Sequence, residues 1–471
     1  MIFNSFTFFC FFLIVFPSYW IINNNISTNS RNVFIILISY VFYGWAEWKF
    51  LGLIIVSSTI NYLAGYLLYY STTKIQRKNI LISTILMNIV ILLIFKYFNF
   101  FIKSFVDLTN INGSFETIKI ILPIGISFYT FQALSYVVDA HKDKSNITLN
   151  VFSFFAFISF FPQLVAGPIE KSKHLIPQFE TKKTFNYAYC VQGLRLVLWG
   201  LFKKIVIADN FGVLSDTIFN TDSILNGSSI IIGSIFFGLQ IYCDFSGYSD
   251  IAIGIGRLLG FDLIKNFQTP YFSSSFFDFW RRWHISLSSW FKEYVYIPLG
   301  GNRKSTLRNH FNVFITFLLS GIWHGSNITF AIWGTCHGIV LIIEKQINIK
   351  KYSFIYSLIV LLIITILWIP FRVNNWSDLK IIFSTLCNIK SFHFNNITEI
   401  ITTYSPVRFI SLISITLLFF SIEKSLNLKD FNEWISLKHK TIRIMIYYIL
   451  LLLIFFLGNF SVKPNFIYFQ F

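Results

Sequence analysis

Apolar runs of about twenty residues recur along almost the whole chain, and nothing else constrains its fold as strongly. A helix of that length rises about 30 Å, the thickness of a bilayer's hydrocarbon core. A transmembrane β-barrel would show segments of about ten residues with alternating hydrophobicity, and these are absent. Candidate spans fall at 2–22, 32–47, 50–70, 79–98, 119–138, 187–208, 229–253, 309–326, 328–345, 353–371, 408–423 and 444–460. The expected fold is an all-α polytopic membrane protein with about 11–12 transmembrane helices. Composition agrees: 55% of residues are hydrophobic and 13% charged, too few polar side chains to cover a soluble surface. No fixed-period repeat or soluble domain interrupts the pattern, so 1–471 reads as a single membrane domain.

The net charge is +17. In a soluble chain that would suggest a nucleic-acid partner. Here the basic residues sit in short loops between apolar runs, which fits positive-inside topology and no nucleic acid. Lys74, Arg77 and Lys78 mark one cytoplasmic loop, and Lys424, Lys429, Lys438, Lys440 and Arg443 mark another. Loop 211–228 carries Asp216 and Asp222 without Lys or Arg, which suits the outside, as do both termini. The run Phe8–Ile22 lacks a basic leader and a small-residue cleavage site and reads as a first span. Cys10, Cys190, Cys243, Cys336 and Cys387 show no CxxC spacing, so neither a disulfide framework nor a structural zinc site is expected.

Three segments break the regular pattern. Residues 150–168 are apolar enough to cross, but crossing would strand Lys171, Lys173, Lys182 and Lys183 on the wrong side, and Pro162, Gly167 and Pro168 oppose a helix. A re-entrant or kinked hairpin is expected, which survives at membrane depth only when protein or a water-filled cavity covers it. In 261–306, Phe276, Phe279, Trp280, Trp283, Leu287, Trp290, Phe291 and Tyr294 recur at helical spacing among charged residues. This predicts one amphipathic helix at the cytoplasmic boundary, an interfacial belt being the plain reading of its aromatics. Residues 372–407 read as an external loop with some local structure.

Ionisable groups at membrane depth are functional candidates. The stretch LQIYCDFSGYSDIAIGIGRLLGF holds Asp244, Asp250 and Arg257. Asp250 and Arg257 lie two helical turns apart and could pair, as catalytic support or as a buried network that fixes helix packing. Gly254, Gly256 and Gly260 follow no strand and do not fit a nucleotide-binding fingerprint; close helix contact explains them better. Of eight histidines, five lie in or beside polar loops, while His284, His324 and His337 lie in apolar, aromatic surroundings. No metal-ligand spacing joins these three, and on one helix His324 and His337 would point about 220° apart. From Asn312 to His324 a helix rises about 18 Å, near mid-bilayer. A neutral imidazole held there beside Gly325 suits a general base.

Several stretches together resemble one family: SYVFYGW (39–45), LPIGISFYTFQALSYVVD (122–139), FFPQLVAGPIEK (160–171), DFSGYSDIAIGIGRLLGF (244–261), FWRRWHISLSSWFKEYVYIPLGGNRK (279–304) and LSGIWHGSNITFAIWGTCHG (319–338). They resemble the membrane-bound O-acyltransferase (MBOAT) family, in the bacterial branch that O-acetylates alginate and related polysaccharides. The likeness is strongest over about 120–345 and most specific in WRRWH and the later WHG. It implies a ring of transmembrane helices around a thin centre where funnels from both faces meet. It implies catalytic roles for His324 and His284. His337 matches a histidine of the acetylase branch without an assigned role.

The resemblance also implies an acyl thioester donor from the cytoplasm, acetyl-CoA in the acetylase branch, and no permanently bound cofactor. The acceptor would be an extracytoplasmic polysaccharide hydroxyl, or an extracytoplasmic acetyltransferase partner that relays the group. The location would be the inner (cytoplasmic) membrane. His324 would take the hydroxyl proton, and His284, Trp N–H groups such as that of Trp323, or amides near Gly325 would meet the oxyanion. Arg281, Arg282 and Lys292 would hold the phosphates of CoA or else anchor to headgroups. The rival readings are a transporter or flippase of lipid-linked saccharide, a structural subunit of an extracellular acetylase, and D-alanyl transfer to teichoic acid.

Overall fold

Pro162 stops the helix that begins at Val151, and the way that break is covered shows how irregular backbone is housed. The computed structural model describes residues 1–109, 120–221, 225–347, 354–393, 401–402 and 404–460, and all its regular elements there are helical. Asp222 and parts of the expected loop 372–407 lie outside the described residues. The chain divides into two units, 1–194 with 252–264, and 195–251 with 265–471.

The first unit contains α1 (Phe6–Asn25), α2 (Thr28–Glu47), α3 (Leu51–Tyr70), α4 (Lys74–Leu92), α5 (Phe98–Thr109), α6 (Ile126–Lys142), α7 (Val151–Ser159), α8 (Phe161–Leu164), α9 (Ser172–Glu180) and the start of α10 (Tyr187–Leu201). Asn150 caps α7 by accepting from the N–H groups of Phe152 and Ser153. The helix ends before Pro162, which has no N–H to continue its ladder. The carbonyl of Phe157, freed there, accepts from the side-chain amides of Gln132 at 2.7 Å and Gln163 at 2.8 Å. Residues 156–170 are all buried, so protein covers the interrupted backbone, as it must at membrane depth. Polar clips hold this region. Arg31 and Asn32 of α2 donate to the carbonyl of Phe179, and Arg31 also to that of Thr181.

A charged clasp lies at 170–174. Buried Glu170 accepts from the N–H of Ile264 at 2.6 Å and pairs with His174 Nδ1 at 2.8 Å, while His174 Nε2 faces Asp262 at 3.7 Å. The two carboxylates, Asp262 first and then Glu170, push the His174 pKa up to about 10. His174 in turn lowers that of Asp262, while burial raises that of Glu170.

The second unit holds the end of α10, a π-helical stretch Phe202–Ala208, α11 (Asp209–Phe219), most of α12 (Gly227–Leu258), α13 (Phe276–Arg282), α14 (Ile285–Phe291), α15 (Thr306–His324), α16 (Ile328–Gln346), α17 (Phe354–Arg372), α18 (Trp376–Cys387), α19 (Pro406–Leu426), α20 (Phe431–Ser436) and α21 (Lys440–Leu457). Its core is aromatic, with Trp199, Trp283, Trp333 and Trp368 almost fully buried. In this unit α10 and α12 meet at Gly200 and Gly247, where a Cβ on either would lie within 2.8 Å of the other's carbonyl oxygen. In the first unit Gly193 stands against the carbonyl of Gly254 in the same way, while Gly260, at φ +80°, ends α12 in a turn.

Among the described residues, eight helical runs are long and apolar enough to cross a membrane: Phe6–Asn25, Thr28–Tyr70, Lys74–Val106, Gly227–Leu258, Ile328–Gln346, Phe354–Arg372, Pro406–Leu426 and Lys440–Leu457. The chain is thus an all-α polytopic membrane protein. The spans expected at 187–208 and 309–326 are largely helical too, and α6 (Ile126–Lys142) covers much of that expected at 119–138, but these helices fall outside this set, α6 because it has only 17 residues.

The single amphipathic helix expected over 276–294 is two short helices. The chain turns at Trp283 and His284, and His284 takes left-handed backbone angles. The aromatics from Phe276 to Phe291 at helical spacing are core residues of the unit rather than a belt.

Candidate active site

The crossing of α15 and α16 sets the geometry of the site. Gly321 and Gly334 face each other there. A Cβ on Gly321 would stand 2.3 Å from the carbonyl oxygen of Phe330, and one on Gly334 would stand 2.3 Å from that of Phe317. Only glycine permits so close an approach. One turn beyond Gly321, α15 ends at His324 because Gly325 is extended, and Asn327 then caps α16. The ring of Trp333, next to Gly334, therefore reaches that of His324 at 5.0 Å, nearly perpendicular to it. The two histidines sit on separate helices with Trp333 between them, since the ring of His337 lies 4.6 Å from its other neighbour Trp333.

His324 is buried, and its ring also meets Trp323 at 4.9 Å and Phe371 at 5.2 Å. The ring of Trp323 lies 6.3 Å from that of His284. The site is thus a chain of rings, His284, Trp323, His324, Trp333, His337, with His324 at its centre. Asn312 does not mark a water boundary. It is fully buried and donates to the carbonyl of Gly301, because the turn at 300–303 folds against α15. The depth of His324 cannot be counted from it.

His284 is held by its turn. A left-handed conformation costs a non-glycine residue about 1–2 kcal/mol. Two main-chain bonds stabilise it, Ile285 N–H to the carbonyl of Asn266 at 2.9 Å and Gln268 N–H to that of Arg282 at 3.0 Å. The ring is edge-on to Phe245 at 4.6 Å, and its Nδ1 bonds Asn266 Oδ1 at 3.1 Å. His337 is enclosed by Phe276, Trp280 and Trp333, and among the described residues neither ring nitrogen has a hydrogen-bond partner.

The ionic candidates lie on α12. Asp250 bonds Lys203 at 2.7 Å, and the guanidinium of Arg257 stands over the ring of Tyr189. Asp244 bonds Lys204 at 2.8 Å, and Lys204 also bonds Asp209 at 2.7 Å. These two lysines lie inside the apolar run 187–208 and could have been found by the rule that flagged the aspartates. Arg281 and Lys292 are exposed. Arg282 is held by Asp278 through a two-point contact at 2.7 and 3.0 Å, so its charge is already compensated. Among the described residues no group of His, Cys, Asp and Glu side chains could hold a metal ion. Asn266 and Trp333 escaped sequence reasoning, Asn266 because a segment without regular secondary structure gives no periodic signal and Trp333 because one tryptophan among twelve stands out only when its neighbours are known.

A sequence model of the membrane-bound O-acyltransferase (MBOAT) family matches residues 38–367, which include every residue of this ring chain. The chain belongs to the membrane-bound O-acyltransferase family. It is an acyltransferase and a multi-pass membrane protein. It is similar to a probable alginate O-acetylase AlgI of Pseudomonas aeruginosa, 35% identical over 91% of this chain and 82% of the relative. It is also similar to a peptidoglycan O-acetyltransferase of Helicobacter pylori, 37% identical over 74% of this chain and 72% of the relative. The teichoic acid D-alanyltransferase of Bacillus subtilis is more distant, 27% identical over 58% and 66%.

Proposed function

We propose that this acyltransferase works in the cytoplasmic membrane and moves an acetyl group from acetyl-CoA to an extracytoplasmic polysaccharide hydroxyl, directly or through a relay partner. The O-acetyltransferase relatives, which match most of the chain, support acetyl over D-alanyl transfer. The observation that carries the reading is the pairing of buried His324 and His284 across Trp323. Two proton-carrying groups then share one desolvated site in an acyltransferase.

In this reading His324 accepts the proton of the acceptor hydroxyl as its oxygen attacks the thioester carbonyl. The carbon–sulfur bond breaks, and the imidazolium returns the proton to the departing thiolate. General-base help of this kind is worth about 10²–10⁴-fold. Trp323 N–H or backbone amides near Gly325 supply the oxyanion donors. Arg281 and Lys292, both exposed, take the phosphates of the donor.

The test supplies membranes with acetyl-labelled acetyl-CoA and follows label into polymer or protein. Wild type is expected to transfer label and His324→Ala to lose it by at least about 10²-fold. Equal transfer by both would sink the assignment of His324.

A further inference from the structure

The side chain of Asn266 meets three donors. Its Oδ1 lies 3.1 Å from His284 Nδ1, 3.2 Å from the backbone nitrogen of Ser286 and 2.9 Å from Ser286 Oγ. Its Nδ2 points the other way, to Ser249 Oγ at 3.3 Å. The two ends of an amide look alike in shape, so chemistry must assign them. A backbone N–H can only donate. Turning the amide over would set its NH₂ group against the Ser286 N–H, donor against donor. The atom facing His284 is therefore oxygen, which only accepts, and His284 Nδ1 must carry the hydrogen. A neutral imidazole has one N–H, so its lone pair sits on Nε2.

We infer that Asn266 is the positioning residue for His284: its amide oxygen fixes the imidazole as the Nδ1–H tautomer and leaves Nε2 as a proton acceptor. The role of His284 in the reaction rests on the acyl-transfer reading above, whereas the tautomer does not. The same residue controls the backbone as well. Its carbonyl accepts from Ile285 N–H and secures the left-handed turn on which His284 sits. Phe245 on the ring's edge and Phe267, stacked at 6.4 Å, limit rotation of the imidazole, so Asn266 has a ring already aimed and needs only to choose its tautomer. One consequence is chemical. Neutral His284 cannot donate from Nε2 to an oxyanion; it can only accept there, so the oxyanion donors fall to Trp323 N–H or the amides near Gly325. A buried amide thus does for His284 what an orienting carboxylate does in hydrolase triads, where the wrong tautomer lowers turnover by about 10⁴-fold.

The test uses the full-length protein, labelled with ¹⁵N-histidine and reconstituted in lipid bilayers. Solid-state NMR separates protonated from unprotonated ring nitrogens, and the His284 signals are identified by their loss in His284→Gln. Wild type is expected to show a protonated Nδ1 and an unprotonated Nε2. Asn266→Ala is expected to shift this signal toward the Nε2–H form, and Asn266→Asp, which keeps an acceptor oxygen, to preserve Nδ1–H. In membranes fed labelled acetyl-CoA, Asn266→Ala should lower transfer by about 10²-fold and Asn266→Asp should recover it to within about tenfold of wild type. An Nε2–H tautomer in the wild type, or an unchanged Nδ1–H signal in Asn266→Ala, overturns the inference. Wild-type transfer by His284→Gln overturns instead the reading of His284 as part of the site, whatever the spectrum shows.

Discussion

The carboxylate of Glu344, on α16, accepts the backbone N–H of Phe276 at 2.7 Å. Its second oxygen accepts that of Phe277 at 2.9 Å, and Tyr356 Oη donates to the first. A buried side chain from another helix thus satisfies two of the orphan donors that open α13, where the helix dipole favours negative charge. That helix carries Trp280, and His284 follows at its far end. Glu344→Ala leaves these donors buried without an acceptor and is expected to cost about 3 kcal/mol, with Glu344→Gln costing about half as much. Thermal unfolding in detergent measures both, and an unchanged midpoint for Glu344→Ala would refute the role.

A second prediction concerns the ion pairs of the π-helical stretch. Lys204 is buried between Asp209 and Asp244. Lys204→Met abandons two carboxylates in a desolvated site and should destabilise by about 3–5 kcal/mol. Adding Asp244→Asn to that variant removes one uncompensated charge and should recover part of the loss. If the double variant is no more stable than Lys204→Met, the pair contributes through shape rather than charge.

The chain of rings separates the three buried histidines by role. His337 makes no hydrogen bond to the described residues, so its buried imidazole carries a desolvation cost that no protein partner among them offsets. His337→Leu, of similar size and apolar, is expected to hold or raise stability by up to about 1–2 kcal/mol. It should also leave acetyl transfer within about threefold of wild type, whereas His324→Ala loses most of it. Loss of transfer in a stable His337→Leu protein would move His337 from packing into chemistry.

The contrast among these residues shows what sequence could convey. Apolar run length announced helices crossing a bilayer, and Pro162 beside four lysines announced the broken segment. Both signals are local. The WRRWH and WHG motifs located His284 and His324 for the same reason. The turn at His284 was hidden, because the aromatic spacing over 276–294 fits one helix as well as two, and only main-chain bonds to Asn266 and Gln268 decide between them. The Lys203 partner of Asp250 was hidden because Lys203 becomes a neighbour only after α10 and α12 meet at Gly200 and Gly247.

The clasp at His174 has a pH dependence with a definite sign. Its folded pKa of about 10 lies above the ordinary histidine value of about 6.5. Folding therefore binds the proton more tightly, and the stability gained is fully present below about pH 6.5. It declines as pH rises from there and is gone above about pH 10. The difference in thermal midpoint between wild type and His174→Asn should therefore be largest near pH 6 and shrink steadily toward pH 10. A difference that grew with pH would mean that His174 acts as a neutral ring.

The last prediction follows from the crossing that creates the site. Gly334→Ala places a methyl group about 2.3 Å from the Phe317 carbonyl oxygen and 2.9 Å from the Cα of Gly321. Both obstacles are backbone, so the helices themselves must move. Overpacking of this kind costs about 1–3 kcal/mol, and the displacement is greatest where Trp333 meets His324. Transfer should therefore fall by more than stability alone explains, at a temperature where the variant is still folded, because a misplacement of about 1 Å can cost about 10²-fold. Gly338→Ala is the control. It lies one turn further along α16, where the added Cβ stands 3.3 Å from the Cα of Phe314, a tight contact relieved by a far smaller shift, and it should cost less than Gly334→Ala in both measurements. Equal activity of the two variants would show that the site does not depend on how closely α15 and α16 approach.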